Sequence, residues 1–288
     1  MPSEPCAVVV GSLHYDIVVD APHRPAAGET VTGHGWRPVF GGKGGNQAAA
    51  VVAAGVPCRM VSAIGDDAFG VFLRDGLRQA GVDEAHVTTC PGTGSGMSVA
   101  IMDAGGDYGA VIVSGANLAI DPDMLGRDAL WRDATHLILQ NEIPEALNLA
   151  AAQAARARGV SVVLNAAPAR DLSDALAEAV DILVVNAGEA EALCGQPVAS
   201  LDEAKAAART LARRFRVVVV TAGGDGVAVA GPDLAHAEPG HAVTLVSTHG
   251  AGDCFIGTMA AQMVRGAPLT DAVARANLAA ARHVSQAR

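Results

Sequence analysis

The stretch Ser247-Thr248-His249-Gly250-Ala251-Gly252-Asp253-Cys254-Phe255 carries a glycine-rich turn into a helical pattern. Its apolar members include Phe255, Ile256, Met259 and Met263. A helix start leaves several backbone N–H groups unpaired and pointing one way, and with the helix dipole behind them they form an anion site. Asp253 then sets a carboxylate where an anion is expected. The two features agree if the anion is a phosphoryl group in transit and the carboxylate takes a proton from the attacking hydroxyl. Taken alone, the same residues read equally as a Gly-rich turn with an Asp in the first turn of a helix.

A second glycine run, Gly41-Gly42-Lys43-Gly44-Gly45-Asn46-Gln47, encloses one of only two lysines in the chain, the other being Lys205. A lysine in such a loop points to function more than to a plain tight turn. No G-x-x-x-x-G-K-[ST] spacing can be drawn, so the run is not a Walker A loop. Asn46 both donates and accepts, which suits a polyhydroxylated ligand. Asp16 stands just past the first strand-like run, where open α/β sheets place ligand contacts, although a lone Asp there also reads as a turn residue or cap.

Weaker signals follow later strands. Asn141-Glu142 ends a strand, and Glu142 is placed to accept bonds from sugar hydroxyls. Asn186-Ala187-Gly188-Glu189 ends another. There Glu189 either organises a hydrated Mg²⁺ or serves as an acidic first-turn residue. Thr221-Ala222-Gly223-Gly224-Asp225-Gly226 is one more glycine turn able to meet phosphate. Their shared position after successive strands points to one site along the carboxyl edge of a sheet.

The elements that must hold these residues are legible in outline. Cys6–Val10 is a continuous apolar run, as in a strand buried on both faces, and Ile17–Val19 is a second. Strands are expected at Arg59–Ile64, His136–Leu139, Val160–Leu164, Asp181–Val185 and Val217–Val220, and a strand-like run at Ala242–Val246. Helices are expected after the Gly41–Gly45 loop, at Ala68–Ala80, Pro144–Arg158, Leu172–Val180, Ala187–Leu193 and Leu201–Arg214, with two more near the C-terminus. This alternation implies an α/β fold with a doubly wound, mostly parallel sheet and helices on both faces. Glu29–Phe40 reads as extended, and Ser95–Val113 as a hairpin turning at Gly105-Gly106. Neither fits the alternation, and together they suggest a small β-sheet lid on a single domain spanning 1–288.

Composition narrows the function classes. Of the 288 residues 50% are hydrophobic and 17% charged, a globular pattern. The net charge of −10 argues against a nucleic-acid or anionic-membrane partner, so any phosphate must be held by local devices. The five cysteines are scattered with no CxxC pair, which disfavours a zinc site or disulfide framework and fits a reducing cytoplasm. No signal peptide or membrane-spanning run is read in the chain.

The two glycine signatures, Gly41-Gly42-Lys43-Gly44-Gly45-Asn46-Gln47 and Gly250-Ala251-Gly252-Asp253, resemble those of the ribokinase-like sugar kinases (the PfkB family). Between them, Asn165-Ala166-Ala167-Pro168-Ala169, Asn186-x-x-Glu189 and Thr221-x-Gly223-x-x-Gly226 match in order and spacing. Gly28-Glu29-Thr30-Val31-Thr32-Gly33 resembles the ribokinase branch. The resemblance implies transfer of the ATP γ-phosphoryl group to a sugar's primary hydroxyl, with ribose the leading substrate. It implies Asp253 as general base and the amides of Gly250, Ala251, Gly252 and Asp253 as the anion hole. His14, Asp16, Gly42, Lys43, Asn46 and Glu142 would face the sugar. Asn186, Thr221, Gly223, Gly226 and Asn277 would lie along ATP, with Glu189 near magnesium. A homodimer through the exposed strands of the lid is also expected.

Three departures from the pattern matter. Ribokinases commonly carry Asn where this chain has His14, which opens the question of ribose specificity. The Asp that commonly opens the second signature is Ser247, and a further glycine loop and closing helix would fall beyond Arg288. Both features bear on a potassium ion that many such enzymes hold beside the anion hole, so a degraded monovalent-cation site is expected. The nearest alternative is a nucleoside kinase of the same family, with Trp36 and Phe40 against the base. A dinucleotide-dependent oxidoreductase would need G-x-G-x-x-G where the chain has Gly11-Ser12-Leu13-His14-Tyr15-Asp16. A non-catalytic sugar-binding protein of the same fold would have no use for Asp253 with its glycines.

Overall fold

Cys6–Val10 form strand β1, and all five residues are buried, as an unbroken apolar run between two helical layers requires. A computed structural model of the protein describes residues 4–103 and 108–286. After β1 the chain leaves the main sheet for β2 (His14–Asp20) and β3 (Gly35–Gly41), then returns as α1 (Lys43–Ala53). β4 (Cys58–Gly65), α2 (Ala68–Gln79) and β5 (Asp83–Cys90) follow, then a second excursion, β6 (Met97–Met102) and β7 (Tyr108–Val113). Short 3₁₀ turns and α3 (Asp128–Trp131) lead to β8 (Ala134–Gln140), α4 (Glu145–Arg156), β9 (Ser161–Asn165) and α5 (Asp174–Ala179). Next come β10 (Ile182–Asn186), α6 (Ala187–Cys194), α7 (Leu201–Leu211) and β11 (Val217–Thr221). A hairpin, β12 (Gly226–Gly231) and β13 (Leu234–Pro239), precedes α8 (Ala251–Val264) and α9 (Leu269–Val284).

The main sheet runs in the order β13-β12-β11-β10-β9-β8-β1-β4-β5, parallel from β11 to β5 and antiparallel at the β12–β13 edge. Alternate side chains of β1 feed two cores. Ala7 and Val9 pack with α1, α2, α8 and α9, whereas Val8 and Val10 pack with α4 to α7. The chain winds from β1 to β4 and β5 on one side and from β8 to β11 on the other. The strand order therefore reverses beside β1 and opens a crevice at the carboxyl ends of β1 and β8. The doubly wound sheet and the separate small sheet read from the sequence are both present.

The small sheet, in order β3-β2-β6-β7, differs in detail from the expectation. It has four strands, because Ile17–Val19 belongs to β2, which pairs antiparallel with β3 and parallel with β6. Of the stretch 29–40, only the part from Gly35 onward is strand. Glu29 instead closes a turn, with its carboxylate accepting the Ala26 N–H at 2.9 Å and contacting His23. The hairpin read over 95–113 is β6 and β7, and its expected turn at Gly105-Gly106 lies outside the described residues.

Elsewhere β5, β12 and β13 were not anticipated. The small residues of Gly226-Val227-Ala228-Val229-Ala230-Gly231 give a weak strand signal, yet they fill a fully buried position beside β11. Conversely, Ala242–Val246 is not a strand. Its apolar side chains face outward, with Leu245 63% exposed, and the amides of Val246 and Ser247 reach the carbonyl of Val284 instead of a sheet neighbour.

Candidate active site

Gly42, at φ +85°, is the N-cap of α1, so the glycine loop is shorter than expected and Lys43, Gly44 and Gly45 already form the first helical turn. The glycines serve close approach. A Cβ on Gly44 would stand 2.6 Å from the backbone nitrogen of Ser12, at the end of β1. This contact brings the start of α1 onto the carboxyl end of β1. Glu142, just past β8, ties the two together: its Oε2 accepts the Ser12 hydroxyl at 2.5 Å and the Lys43 backbone N–H at 2.9 Å. His14 Nδ1 lies 3.8 Å from the same oxygen.

Asp16 sits on lid strand β2, not past the end of β1 as the sequence suggested, because the strand begins again at His14. Its carboxylate accepts from the Ser98 hydroxyl of β6 and lies over Gly41, in the space a Cβ there would occupy. Burial pushes its carboxyl up, and the Glu142 carboxylate adds to this. The Ser98 bond and the nearby imidazoles of His14 and His249 act in the opposite direction. The small sheet thus contributes one acidic group to the crevice.

Across the crevice Gly250, in the left-handed conformation at φ +72°, caps α8 and places Asp253 in its first turn. Asp253 Oδ1 accepts from Gln47 Nε2 at 2.9 Å and Oδ2 from Asn46 Nδ2 at 3.3 Å, both on α1. Burial raises the Asp253 carboxyl above its ordinary range, Lys43 and the two amides draw it down, and Glu142 raises it. Of the expected anion-hole amides, that of Ala251 turns back to the Thr248 carbonyl at 3.2 Å. The expected hole is then left with the Gly250, Gly252 and Asp253 amides, groups of the kind that lack intrahelical acceptors at a helix start.

Asn186 and Thr221 are register partners at the carboxyl ends of β10 and β11. Gly223 (φ +54°) and Gly226 (φ +118°) shape the turn that follows. Asn277 of α9 is buried and donates to the Pro239 carbonyl at 2.8 Å, so its amide is committed to holding the end of β13. Glu189 forms a capping box with Asn186, its Oε2 accepting the Asn186 N–H at 2.8 Å. The first-turn reading of Glu189 therefore holds. The residue also faces the site: burial raises its carboxyl, Lys43 lowers it and Asp253 raises it. Among the described residues no group of three or more His, Cys, Asp or Glu is arranged as a metal cage.

The sequence reading missed Ser12, Ser98, Gln47 and Asn165. Gln47 had a usable signal, since it lies four residues after Lys43 and shares its helix face. A groove of about 710 Å³ opens beside Asn46, His249, Gly250 and Asp253 and runs over α8 between α1 and α9. No helix among the described residues is long and apolar enough to cross a membrane. Cys6, Cys58, Cys90 and Cys194 are free thiols.

The description "pfkB family carbohydrate kinase" matches residues 6–287, the whole span that carries these groups. The chain belongs to the pfkB family of carbohydrate kinases. It is 33% identical over 280 residues to the ribokinase of Haemophilus influenzae, covering 96% of this chain and 92% of that protein. It is 32% identical over 276 residues to the deoxyribokinase of Salmonella typhi, covering 95% and 90% respectively. The structure of the Arabidopsis thaliana ribokinase complexed with ribose and ATP superposes with a TM-score of 0.90 at 28% identity, over 99% of this chain and 94% of that one. As a member of the pfkB family this protein is an ATP-dependent carbohydrate kinase.

Proposed function

We propose that the enzyme transfers the γ-phosphoryl group of ATP to the primary hydroxyl of a pentose, ribose first and 2-deoxyribose its nearest competitor. The observation that carries this reading is the placement of Asp253. Its carboxylate is held by two amide donors at the start of a helix, beside the amides of Gly252 and Asp253. The sugar hydroxyl gives its proton to Asp253 as its oxygen bonds to the γ-phosphorus and the bond to the ADP oxygen breaks. A carboxyl raised by burial is a stronger base than one in water, while Lys43 and the two amides favour its ionised form.

Glu142, Asp16, Asn46 and His14 supply a cluster of acceptors and donors suited to sugar hydroxyls. Asn186 and the Thr221–Gly226 turn lie along the phosphates, and Asn277 holds the loop that borders them. Glu189, a partly buried carboxylate in the first turn of α6, fits a Mg²⁺ held mainly by triphosphate and water. Such an ion would neutralise charge on the phosphates.

The lid exposes Trp36 at 66% and Val111, Ile112 and Val113 at 70, 51 and 52%. These residues support a homodimer through the small sheet. A monomer in sedimentation equilibrium at micromolar protein would contradict that. The substrate reading is tested by ADP release from ATP over a panel of pentoses, hexoses and nucleosides. Ribose or 2-deoxyribose should lead, and a nucleoside or hexose as the best acceptor would overturn it.

A further inference from the structure

Gln47 lies in the second turn of α1 with no exposed surface. Burying a primary amide costs about 1–3 kcal/mol unless its groups are bonded, so its contacts matter. Its Nε2 carries two protons, and both have acceptors: Asn165 Oδ1 at 3.1 Å and Asp253 Oδ1 at 2.9 Å. Its Oε1 has no partner among the described residues.

Shape alone does not decide which way an amide faces. Here the partners decide it. Asn165 ends β9, and its Nδ2 donates to the Val184 carbonyl at 3.3 Å, a group that only accepts. Asn165 Oδ1 is therefore turned toward Gln47 and requires a donor there. A reversed Gln47 would set its oxygen against both Asn165 Oδ1 and the Asp253 carboxylate. A backbone carbonyl of β10 thus fixes, through two buried amides, an N–H aimed at Asp253.

We propose that Gln47, aligned by Asn165, is a positioning residue that fixes the rotamer of Asp253 and holds its carboxylate ionised. The inference rests on Asp253 being the base. Among the described residues the charged groups acting most strongly on Asp253 are Lys43 of α1 and Glu142 after β8, with Glu189 of α6 near it, and His249, Arg275, Arg282 and His283 line the same groove. Lys43 is the cation that most favours the charged carboxylate, and the Gln47 and Asn46 amides act in the same direction. A hydrogen bond to the charged form of an acid favours that form, and removing one raises the pKa.

Gln47→Met keeps length and burial and removes the donor. ¹³C NMR of aspartate-labelled protein reads the Asp253 midpoint directly, with its resonance assigned by its loss in Asp253→Asn. The midpoint should rise by about one unit in Gln47→Met. The acid limb of kcat should move with it, so that the loss is largest at low pH and shrinks as pH rises. Asn165→Leu leaves Gln47 in place but free to turn, and it should shift both readouts the same way by less. It also carries the test should Gln47→Met not fold. In the double variant the two effects should be far from additive. An unshifted midpoint, or a kcat lowered equally at every pH, overturns the proposal while a dead Asp253→Asn leaves the base in place. Full turnover in Asp253→Asn overturns the base, and this proposal with it.

Discussion

His14 Nδ1 stands 3.8 Å from Glu142 Oε2, while its other ring nitrogen, Nε2, is buried without a partner among the described residues. An unpaired polar atom near the Glu142 and Asp16 carboxylates is a group suited to a ligand. An imidazole offers one such atom there, where an asparagine offers a donor and an acceptor. His14→Asn should therefore raise the preference for ribose over 2-deoxyribose, as a ratio of kcat/KM, by about tenfold, the worth of roughly 1.4 kcal/mol. Steady-state kinetics on the two sugars measures it, and an unchanged ratio would remove His14 from sugar recognition.

The raised carboxyl of Asp253 has a consequence for stability. The folded chain holds that proton more tightly than the unfolded chain. The contribution therefore favours folding below the ordinary carboxylate range and is lost as pH climbs through the raised folded value. At pH 7 ionised Asp253 weakens the fold. Asp253→Asn should then melt higher at pH 7, by about 2–4 °C for each kcal/mol relieved, and the gain should shrink near pH 4. Calorimetry at the two pH values checks this, and a variant that melts lower at pH 7 would contradict it.

Potassium activation should be weak or absent. The resemblance places a charged ligand at Ser247 and a carbonyl ligand at His249. Here the Ser247 hydroxyl is neutral and accepts the His249 N–H at 3.2 Å, while the His249 carbonyl accepts His283 Nε2–H at 2.9 Å. A hard cation needs oxygen number and nearby negative charge, and both are reduced. Ser247→Asp should restore only part of the effect. Rates at fixed ionic strength, with potassium exchanged for tetramethylammonium, should differ less than about twofold in the unmodified enzyme. A several-fold rise would show a working site.

The parallel sheet was legible because runs such as Cys6–Val10 and Val217–Val220 have one physical explanation, burial on both faces. Ala242–Val246 misled because apolar composition alone does not place a segment; its amides bond to α9 and its side chains stay outside. Residues at the crevice such as Glu142, just past a strand, and Asp253, at a helix start, could be read from type and position. For Gln47 the spacing from Lys43 gives a helix face but no partner, and Asn165 and Ser12 could not be read as partners at all. Their roles come from contacts across 206, 118 and 130 residues of chain, which no local spacing encodes. The lid strand β2 was half-hidden for a related reason: its pairing with β6 is parallel and long-range.

The account turns on Asp253 as the base. The most direct measurement is turnover of ribose and ATP by Asp253→Asn, with ATP affinity measured alongside by calorimetric titration. Loss of the base with the Gly252 and Asp253 amides retained should lower kcat by roughly 10² or more and leave ATP binding near normal. Turnover within a few-fold of the unmodified enzyme would show that the proton goes elsewhere.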